Sequence, residues 1–305
     1  MTASVAFYLM DVFASHPLTG NPLSLVADAD DLTEPQMRAI AREFNQSETT
    51  FLLRPTVPRA VWRLRSFTPA GAEVFGAGHN ALGAWLWLAA AGRLPAPSSP
   101  VDGGGGPQLA QEIGGEVLPV LVTRESGRPV TVWMDQSAPQ FGAIAGDRAE
   151  LAAALRLADE DLVAGEPAQV VSTGAGHLLV PVRDRDAVDR AMPDAARLAA
   201  VLRQAGGEGC YLYSREQAGG SDAVAYTRFF NPVMGIPEDP ATGTAAGPLV
   251  ARLAAAGMVP EDSIVFVEQG HAIGRPSRIQ VKVCGQRVQV GGSGLVVAEG
   301  KLRIR

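Results

Sequence analysis

The chain is poor in cysteine, in long apolar runs and in basic charge, and each shortage excludes a class of protein. Two cysteines, Cys210 and Cys284, among 305 residues are too few for a disulfide framework, so we expect reduced thiols in a reducing compartment. The longest apolar run, at residues 81–91, is shorter than the roughly 20 residues that span a bilayer. The net charge of -6 gives no basic surface for nucleic acid.

The amino-terminal residues are unlike a secretory signal. The segment MTASVAFYLMDVF has no basic start and carries Asp11 close to its apolar stretch. Together with the low cysteine content, this predicts a cytoplasmic protein with neither a nucleic-acid nor a membrane partner.

The length and composition of the chain predict two globular domains. Hydrophobic residues make up 47% and charged residues 19% of the 305 residues, which is typical of folded rather than disordered chains. We place the boundary between residues 126 and 127, where strand signals at 118–123 and 130–134 flank it. About the last ten residues are a candidate to complete the first domain, residues 1–126. The second domain then covers residues 127–305.

Strand and helix signals alternate along the chain. A T-x-x-Q capping box at Thr33 begins a helix whose apolar residues recur at Met37, Ile40, Ala41 and Phe44. A second helix, over residues 78–92, is apolar on nearly all sides and must therefore be surrounded by protein. Residues 96–107 are rich in Pro, Ser and Gly and predict a flexible surface loop. The remaining predicted strands are 4–13, 23–26, 49–53, 61–67, 170–173, 178–182, 209–213 and 223–230, the remaining helices are 149–157 and 195–205, and several short strands follow residue 263.

An internal repeat is the most informative feature of the sequence. The segment RSFTP at residues 65–69 recurs as RFFNP at 228–232, and an acidic residue follows each copy. Gly78 and Gly243 then open two apolar helices, which both end in Ala-Ala-Ala-Gly, at Gly92 and Gly257. Chance alone rarely yields these residues in the same order, so the repeat predicts two copies of one fold related by a pseudo-twofold axis.

The two repeated helix starts suggest an anion-binding clamp. A helix N-terminus presents unpaired N–H groups with a partial positive charge, and glycine allows a ligand to approach the backbone. Two such ends facing each other would hold a small anion. The alternative is that Gly78 and Gly243 serve only helix packing. Arg63 and Arg65 are further candidates to steer a carboxylate, although both lie on an alternating strand and could simply face solvent.

Several motifs in order resemble one known family. They are DVF at 11–13, GNPL at 20–23, NQSETTF at 45–51, FTP at 67–69, GH at 78–79, EDPATG at 238–243, QG at 269–270 and GRPS at 274–277. Together they are similar to the phenazine-biosynthesis isomerase (PhzF-like) family, which shares its fold with diaminopimelate epimerase. The resemblance runs from residue 11 to 277, nearly the whole chain.

The resemblance implies an α+β fold and a proton-shift activity. The fold would consist of two pseudo-symmetric diaminopimelate epimerase-like domains, each a curled, mostly antiparallel sheet or barrel around a central apolar helix, with the active site between them. It also implies a homodimer, a small carboxylate substrate, and neither a metal nor an organic cofactor. The best-known substrate of the family is dihydro-hydroxyanthranilic acid.

The resemblance also assigns roles to individual residues. Glu48 matches the glutamate that takes a proton from one carbon and returns it to another, and a buried cleft that raises its pKa would help. His79 matches the histidine that contacts substrate; at a helix N-terminus we expect its imidazole to be neutral. Asp239 matches the second essential acid, stiffened by the following proline. The expected substrate-binding residues are Ser47, Gly78, Asn80, Gly243 and Thr244.

Each of these residues also has a purely structural interpretation. Glu48 could be a solvated glutamate at a helix end, His79 a satisfied structural histidine, and Asp239 an acid that stabilises the following helix dipole. Thr244 stands where many members have serine, and Asn80 where proline or alanine is common. Both departures point to a substrate that differs from the best-known one.

Five alternatives compete with this function. A two-base epimerase or racemase would place Glu48 on one substrate face and His79 or Asp239 on the other. A non-catalytic small-molecule-binding protein could keep the fold. A nucleotide-dependent oxidoreductase is disfavoured because the segment GAG at 174–176 lacks the third fingerprint glycine. A metal site is disfavoured because the four histidines lack ligand spacing, and a two-thiol mechanism because neither cysteine opens a repeated helix.

Overall fold

The chain folds into two compact units. The structure is a computed structural model that describes residues 3–95, 108–124, 126–217 and 220–304; the loop expected at 96–107 lies outside these residues. The first unit comprises Met1–Met134 and Gly291–Arg305, and the second comprises Asp135–Val290. The boundary therefore follows Met134 instead of residue 126, because β-strand pairing ties residues 131–134 to the preceding strand.

The described residues contain eighteen strands and six α-helices, joined by loops and short 3-10 helices. The strands are β1 (Ala3–Val12), β2 (Asn21–Val26), β3 (Thr49–Leu53), β4 (Trp62–Phe67), β5 (Glu73–Val74), β6 (Gln108–Ile113), β7 (Glu116–Thr123), β8 (Thr131–Gln136), β9 (Gln140–Ile144), β10 (Gln169–Ser172), β11 (Gly176–Pro181), β12 (Gly209–Ser214), β13 (Ala225–Asn231), β14 (Ile236–Asp239), β15 (Ile264–Gln269), β16 (Ser277–Cys284), β17 (Arg287–Gly292) and β18 (Gly294–Ile304). The helices are α1 (Glu34–Phe44), α2 (His79–Ala90), α3 (Arg148–Leu155), α4 (Arg185–Arg190), α5 (Ala195–Ala205) and α6 (Gly243–Ala255).

The first unit is a mixed sheet wrapped against one apolar helix. Its pairs run β18–β1–β2–β3–β4–β6–β7–β8, with β2–β3 and β4–β6 parallel and the other pairs antiparallel. Helix α2 packs against β1, β2, β3 and β18 and is buried from Asn80 to Ala89. A helix that is apolar on every side is stable only in such surroundings.

Helix α1 packs against strands β3 and β4 through a single apolar face. The predicted capping box is confirmed, since the Thr33 backbone N–H donates to Gln36 Oε1 at 2.9 Å. Met37, Ile40 and Ala41 are buried and pack with strand residues such as Phe51 in one cluster.

The second unit repeats the same order of pairing. Its strands run β9–β10–β11–β12–β13–β15–β16, with β11–β12 and β13–β15 parallel and the other pairs antiparallel. The short β14 pairs with β13 as β5 pairs with β4. Helix α6 packs against β10, β11 and β16. The predicted fold class, two epimerase-like domains each built around a central helix, is confirmed.

The strand register shows which residues of the two units correspond. Thr49 lies opposite Phe67 in the first unit, and Cys210 lies opposite Phe230 in the second. Because the repeated motif pairs Phe67 with Phe230, Thr49 corresponds to Cys210, and the preceding Glu48 corresponds to Gly209.

The repeated Arg-x-Phe motif forms a structural cluster in the first unit. The Arg65 guanidinium lies 5.0 Å from the Phe67 ring centroid and donates to both carboxylate oxygens of Glu73 at 2.7 and 2.6 Å. It also donates to Glu34 at 2.7 Å. The substrate-steering role considered for Arg65 is therefore corrected, because three groups of its own unit engage it; Arg63 likewise lies 3.4 Å from Glu112.

The second copy of the motif forms the same cluster with deeper burial. Arg228 lies 4.9 Å from the Phe230 ring centroid and donates to both oxygens of Glu238 at 3.0 and 2.7 Å. It also donates to the carbonyls of Val188, Asp189 and Ala191. The repeated sequence thus repeats a structural ion pair, at the strand that leads to each central helix.

Some elements of the fold had no sequence signal that we recognised. β5, β6, β9, β14 and α4 are short or lack apolar periodicity, and β9 is exposed along its whole length. Among the residues that the structure describes, no helix combines the length and the apolar character needed to cross a bilayer.

Candidate active site

Glu48 lies in the loop that joins α1 to β3, directly before the first residue of that strand. The exposed fraction of its side chain is 19%, and Oε2 is buried without a hydrogen-bond partner among the described residues. Burial disfavours the carboxylate and raises the pKa of Glu48 from 4.5 to about 7. A carboxyl with this pKa exchanges protons near neutrality, which suits a general acid or base.

His79 faces Glu48 from the first residue of α2. Its Nδ1 lies 3.6 Å from Glu48 Oε2, and its Nε2 lies 3.3 Å from Ser47 Oγ. The exposed fraction of the His79 side chain is 11%. The structure therefore brings three of the predicted site residues, Ser47, Glu48 and His79, together at the start of the central helix.

Asn80 and Gly78 shape the same helix start. Asn80 is 2% exposed; its Nδ2 donates to Ser66 Oγ and to the Gly76 carbonyl, both at 3.1 Å. Its Oδ1 accepts from the Gly78 N–H at 2.8 Å. Three of its hydrogen bonds hold the loop before α2, and the substrate-binding role expected for Asn80 stays a prediction. Gly78 lies beside open space, where an added Cβ would meet only Asn80 at 3.4 Å.

In the second unit, Asp239 lies at the end of β14, before the start of α6. Its carboxylate accepts a hydrogen bond from the hydroxyl of Thr242, and its carbonyl accepts from Gln269 Nε2 at 2.7 Å. Gln269 is fully buried and also accepts from the Thr242 N–H at 3.1 Å and from the Tyr211 hydroxyl at 3.0 Å. Asp239 is thus bound to the residue that precedes α6.

Two further motif residues hold this loop in place. Ser277 Oγ donates to the Pro240 carbonyl at 2.8 Å. Gly270 has φ of +81° and lies so close that a Cβ would approach the carbonyls of Arg275 and Pro240 at 2.3 and 2.6 Å, so only glycine fits. The matching motifs at 238–243, 269–270 and 274–277 therefore form one structural unit around the start of α6.

Gly243 and Thr244 are the first two residues of α6. The Gly243 carbonyl accepts from Gln136 Nε2 at 3.1 Å. Thr244 Oγ1 lies 3.3 Å from His177 Nε2, a residue that our sequence analysis weighed only as a metal ligand. The sequence signal for His177 was a histidine at the start of the apolar run HLLVPV. The strand registers Ser24–Thr49 and Leu178–Cys210 make Leu23 its counterpart in the first unit.

Neither the cysteines nor the Gly174 segment opens a central helix. Cys210 is buried in β12, and burial raises the pKa of its thiol to about 12, so it is a poor nucleophile. Cys284 ends β16. Gly174 lies in the turn between antiparallel strands β10 and β11, whereas a dinucleotide-binding turn joins a strand to a helix.

Comparison with known proteins agrees with this fold and defines the chain as an isomerase of the epimerase-like fold. The family model "Phenazine biosynthesis-like protein" (PhzC-PhzF) matches residues 10–300. The chain is 34% identical to the trans-2,3-dihydro-3-hydroxyanthranilate isomerase of Pseudomonas fluorescens, over 97% of this chain and 98% of that protein. The chain belongs to the phenazine biosynthesis-like (PhzF) family.

Two solved structures place the fold in the same family and in a wider group. The Bacillus anthracis phenazine biosynthesis protein of the PhzF family has a TM-score of 0.88 at 29% identity, covering 99% of this chain and 100% of that one. A hydroxyproline epimerase from Agrobacterium vitis has a TM-score of 0.61 at 12% identity, covering 98% of this chain and 91% of that one. The second likeness concerns the fold alone.

Proposed function

We propose that the chain is a cofactor-independent proton-shift isomerase in which the Glu48 carboxyl carries the proton on a small carboxylate substrate. The observation that carries the proposal is a buried carboxyl with a pKa of about 7, 3.6 Å from the histidine that opens the central helix. Family membership supports the isomerase class, and the name of the Pseudomonas fluorescens relative denotes a carboxylate substrate.

The proposed chemistry needs one carboxyl and no change of oxidation state. The Glu48 carboxylate takes a proton from one substrate carbon while the double bond migrates. The resulting carboxylic acid returns that proton to a second carbon, so that one C–H bond breaks and another forms. A pKa near neutrality keeps the loss and the return of the proton similarly easy. The low exposure of the side chain slows exchange of the carried proton with water.

The neighbours of Glu48 have supporting roles in this proposal. His79 and Ser47 contact substrate polar groups, and the N–H groups at the start of α2 favour a negatively charged oxygen there. The family resemblance assigns the remaining roles. It makes Asp239 the second acid, and it makes Gly243 and Thr244 substrate contacts. The homodimer and the cytoplasmic location rest on the resemblance and the composition; a monomer in sedimentation velocity would contradict the dimer.

The test uses trans-2,3-dihydro-3-hydroxyanthranilate, the compound named for the relative, in D₂O. Proton NMR of the product is expected to show the hydrogen of the substrate carbon at its new position, because a single shielded carboxyl returns it. Solvent deuterium with inverted configuration would indicate the two-base epimerase instead. Binding without turnover, of this compound and of other small carboxylates, would overturn the enzyme and favour a binding protein.

A further inference from the structure

A second buried titratable side chain lies at the other helix start. His177, on β11, is 4% exposed, and its ring packs edge-on against Phe229 with centroids 5.0 Å apart. Its Nε2 lies 3.3 Å from Thr244 Oγ1 in the first turn of α6. Nothing in the proposed mechanism uses this histidine so far.

The ring of His177 is neutral in these surroundings. Burial among apolar groups disfavours the imidazolium and lowers the pKa of His177 to about 4. A neutral imidazole has one N–H donor and one lone pair. Its Nδ1 is buried and has no hydrogen-bond partner within the described parts of the chain.

The unpartnered Nδ1 selects the tautomer. A buried N–H without an acceptor is rarer than a buried acceptor without a donor, so the proton belongs on Nε2, where Thr244 Oγ1 can accept it.

We propose that His177 is a positioning residue that donates from Nε2 to Thr244 Oγ1 and thereby directs the hydroxyl hydrogen of Thr244 toward the substrate. The inference rests on the proposed function, which makes Thr244 a substrate contact. An oxygen that accepts from His177 keeps its own hydrogen available for a substrate oxygen, and the fixed acceptor geometry restricts where that hydrogen points.

The repeated fold supplies a matched pair of variants. Strand β2 aligns with β11 through the register pairs Ser24–Thr49 and Leu178–Cys210, so Leu23 is the counterpart of His177. His177→Leu is therefore compatible with this strand position, and it removes the donor. His177→Gln keeps an N–H at similar reach and carries no charge.

The hydrogen bond is tested first without any substrate. The chain has four histidines, so ¹⁵N-labelled histidine with His177→Gln as the assignment variant isolates the signals of this ring. We expect the Nε2–H tautomer, neutral at pH 6–8, with ring shifts that change in Thr244→Val and persist in Thr244→Ser. The Nδ1–H tautomer, or shifts that ignore Thr244→Val, would overturn the proposal even if the chain is an active isomerase.

Kinetics then separate positioning from a merely structural role. We expect His177→Leu to raise KM about 10-fold with little change in kcat. Without the donor at residue 177 the Thr244 hydroxyl is no longer oriented, and the loss of its hydrogen bond to substrate weakens binding by roughly that factor. His177→Gln should stay within about 3-fold of the wild type, and His177→Leu with Thr244→Val should be no worse than Thr244→Val alone. Additive losses would contradict the proposal. If the wild type turns over no substrate, the proposed function fails while the ¹⁵N result still decides the hydrogen bond.

Discussion

The two units repeat one strand register, yet they carry different chemistry at the start of the central helix. In the first unit the segment before β3 supplies Glu48, whose Oε2 lies 3.6 Å from His79. In the second unit the corresponding residue is Gly209, where a Cβ would approach the Phe229 ring at 2.4 Å and His177 Nδ1 at 3.3 Å. The space available to an acid in the first unit is occupied by two rings in the second.

The comparison distinguishes the structural residues, which both units share, from the titratable residues beside the helix, which differ between them. Both units keep the arginine–carboxylate pair on the strand before the helix, because that pair fixes the loop geometry in each. The titratable group next to the helix is a carboxyl with a raised pKa in one unit and a histidine with a lowered pKa in the other. The second half also carries an acid before its helix, Asp239, whose carboxylate accepts from Thr242. The proposed single-base reaction uses only the carboxyl of the first half as the proton carrier.

The largest expected effect follows from removing the proton carrier. Glu48→Gln keeps the size of the side chain and cannot accept a proton, so kcat should fall about 1000-fold, within the range for general acid–base groups. Glu43→Gln, on the exposed face of α1, is the matched control and should retain full activity. Steady-state turnover with circular dichroism checks both, and an active Glu48→Gln protein would remove the distinction between the halves.

The paired arginines give the next effect, in stability. Arg228→Met leaves Glu238 unpaired at 8% exposure and removes the side-chain donor to three carbonyls, which should cost about 3–5 kcal/mol of unfolding free energy. Arg65→Met removes a similar pair at 16–17% exposure without such carbonyls, and should cost about 1–2 kcal/mol. Urea unfolding measures both. Equal losses would mean that the two copies of the motif are energetically equivalent.

The raised pKa of Glu48 also predicts how stability depends on pH. The folded state binds the proton more tightly than the unfolded state, so stabilisation is complete below pH 4.5 and is lost as the pH rises through about 7. The unfolding free energy of the wild type should fall by up to about 3 kcal/mol over this window, relative to Glu48→Gln. Parallel curves for the two proteins in urea titrations at pH 4.5 and 8 would contradict the raised pKa.

His79→Ala is expected to have the smallest of these effects. Losing a contact that supports proton transfer, without losing the carrier, should lower kcat about 100-fold or less. Turnover by a folded His79→Ala protein measures it. Near-normal activity would leave His79 as a structural residue and weaken the parallel with Thr244 in the other half.

The sequence predicted the duplicated fold because the repeat encodes packing. Apolar helices, glycines and the Arg-x-Phe motif follow local rules, so the bounds of α5, and those of α2 and β3 to within a residue or two, were predictable. The site was predictable only through family motifs, since nothing local distinguishes Glu48 from exposed Glu43. His177 was missed because its partner, Thr244, lies 67 residues later in the sequence. The hydrogen bond from Asn80 to Ser66 was equally unpredictable, because it depends on how a strand packs beside the helix start.

A ¹³C NMR titration of the Glu48 side-chain carboxyl, assigned with Glu48→Gln, tests the proton-carrier claim most directly. We predict a midpoint near pH 7 in the folded protein, well above the value of about 4.3 for an ordinary glutamate. A midpoint at or below the ordinary value would mean that the carboxyl is fully ionised at neutral pH, and the single-carboxyl proton shift would be contradicted.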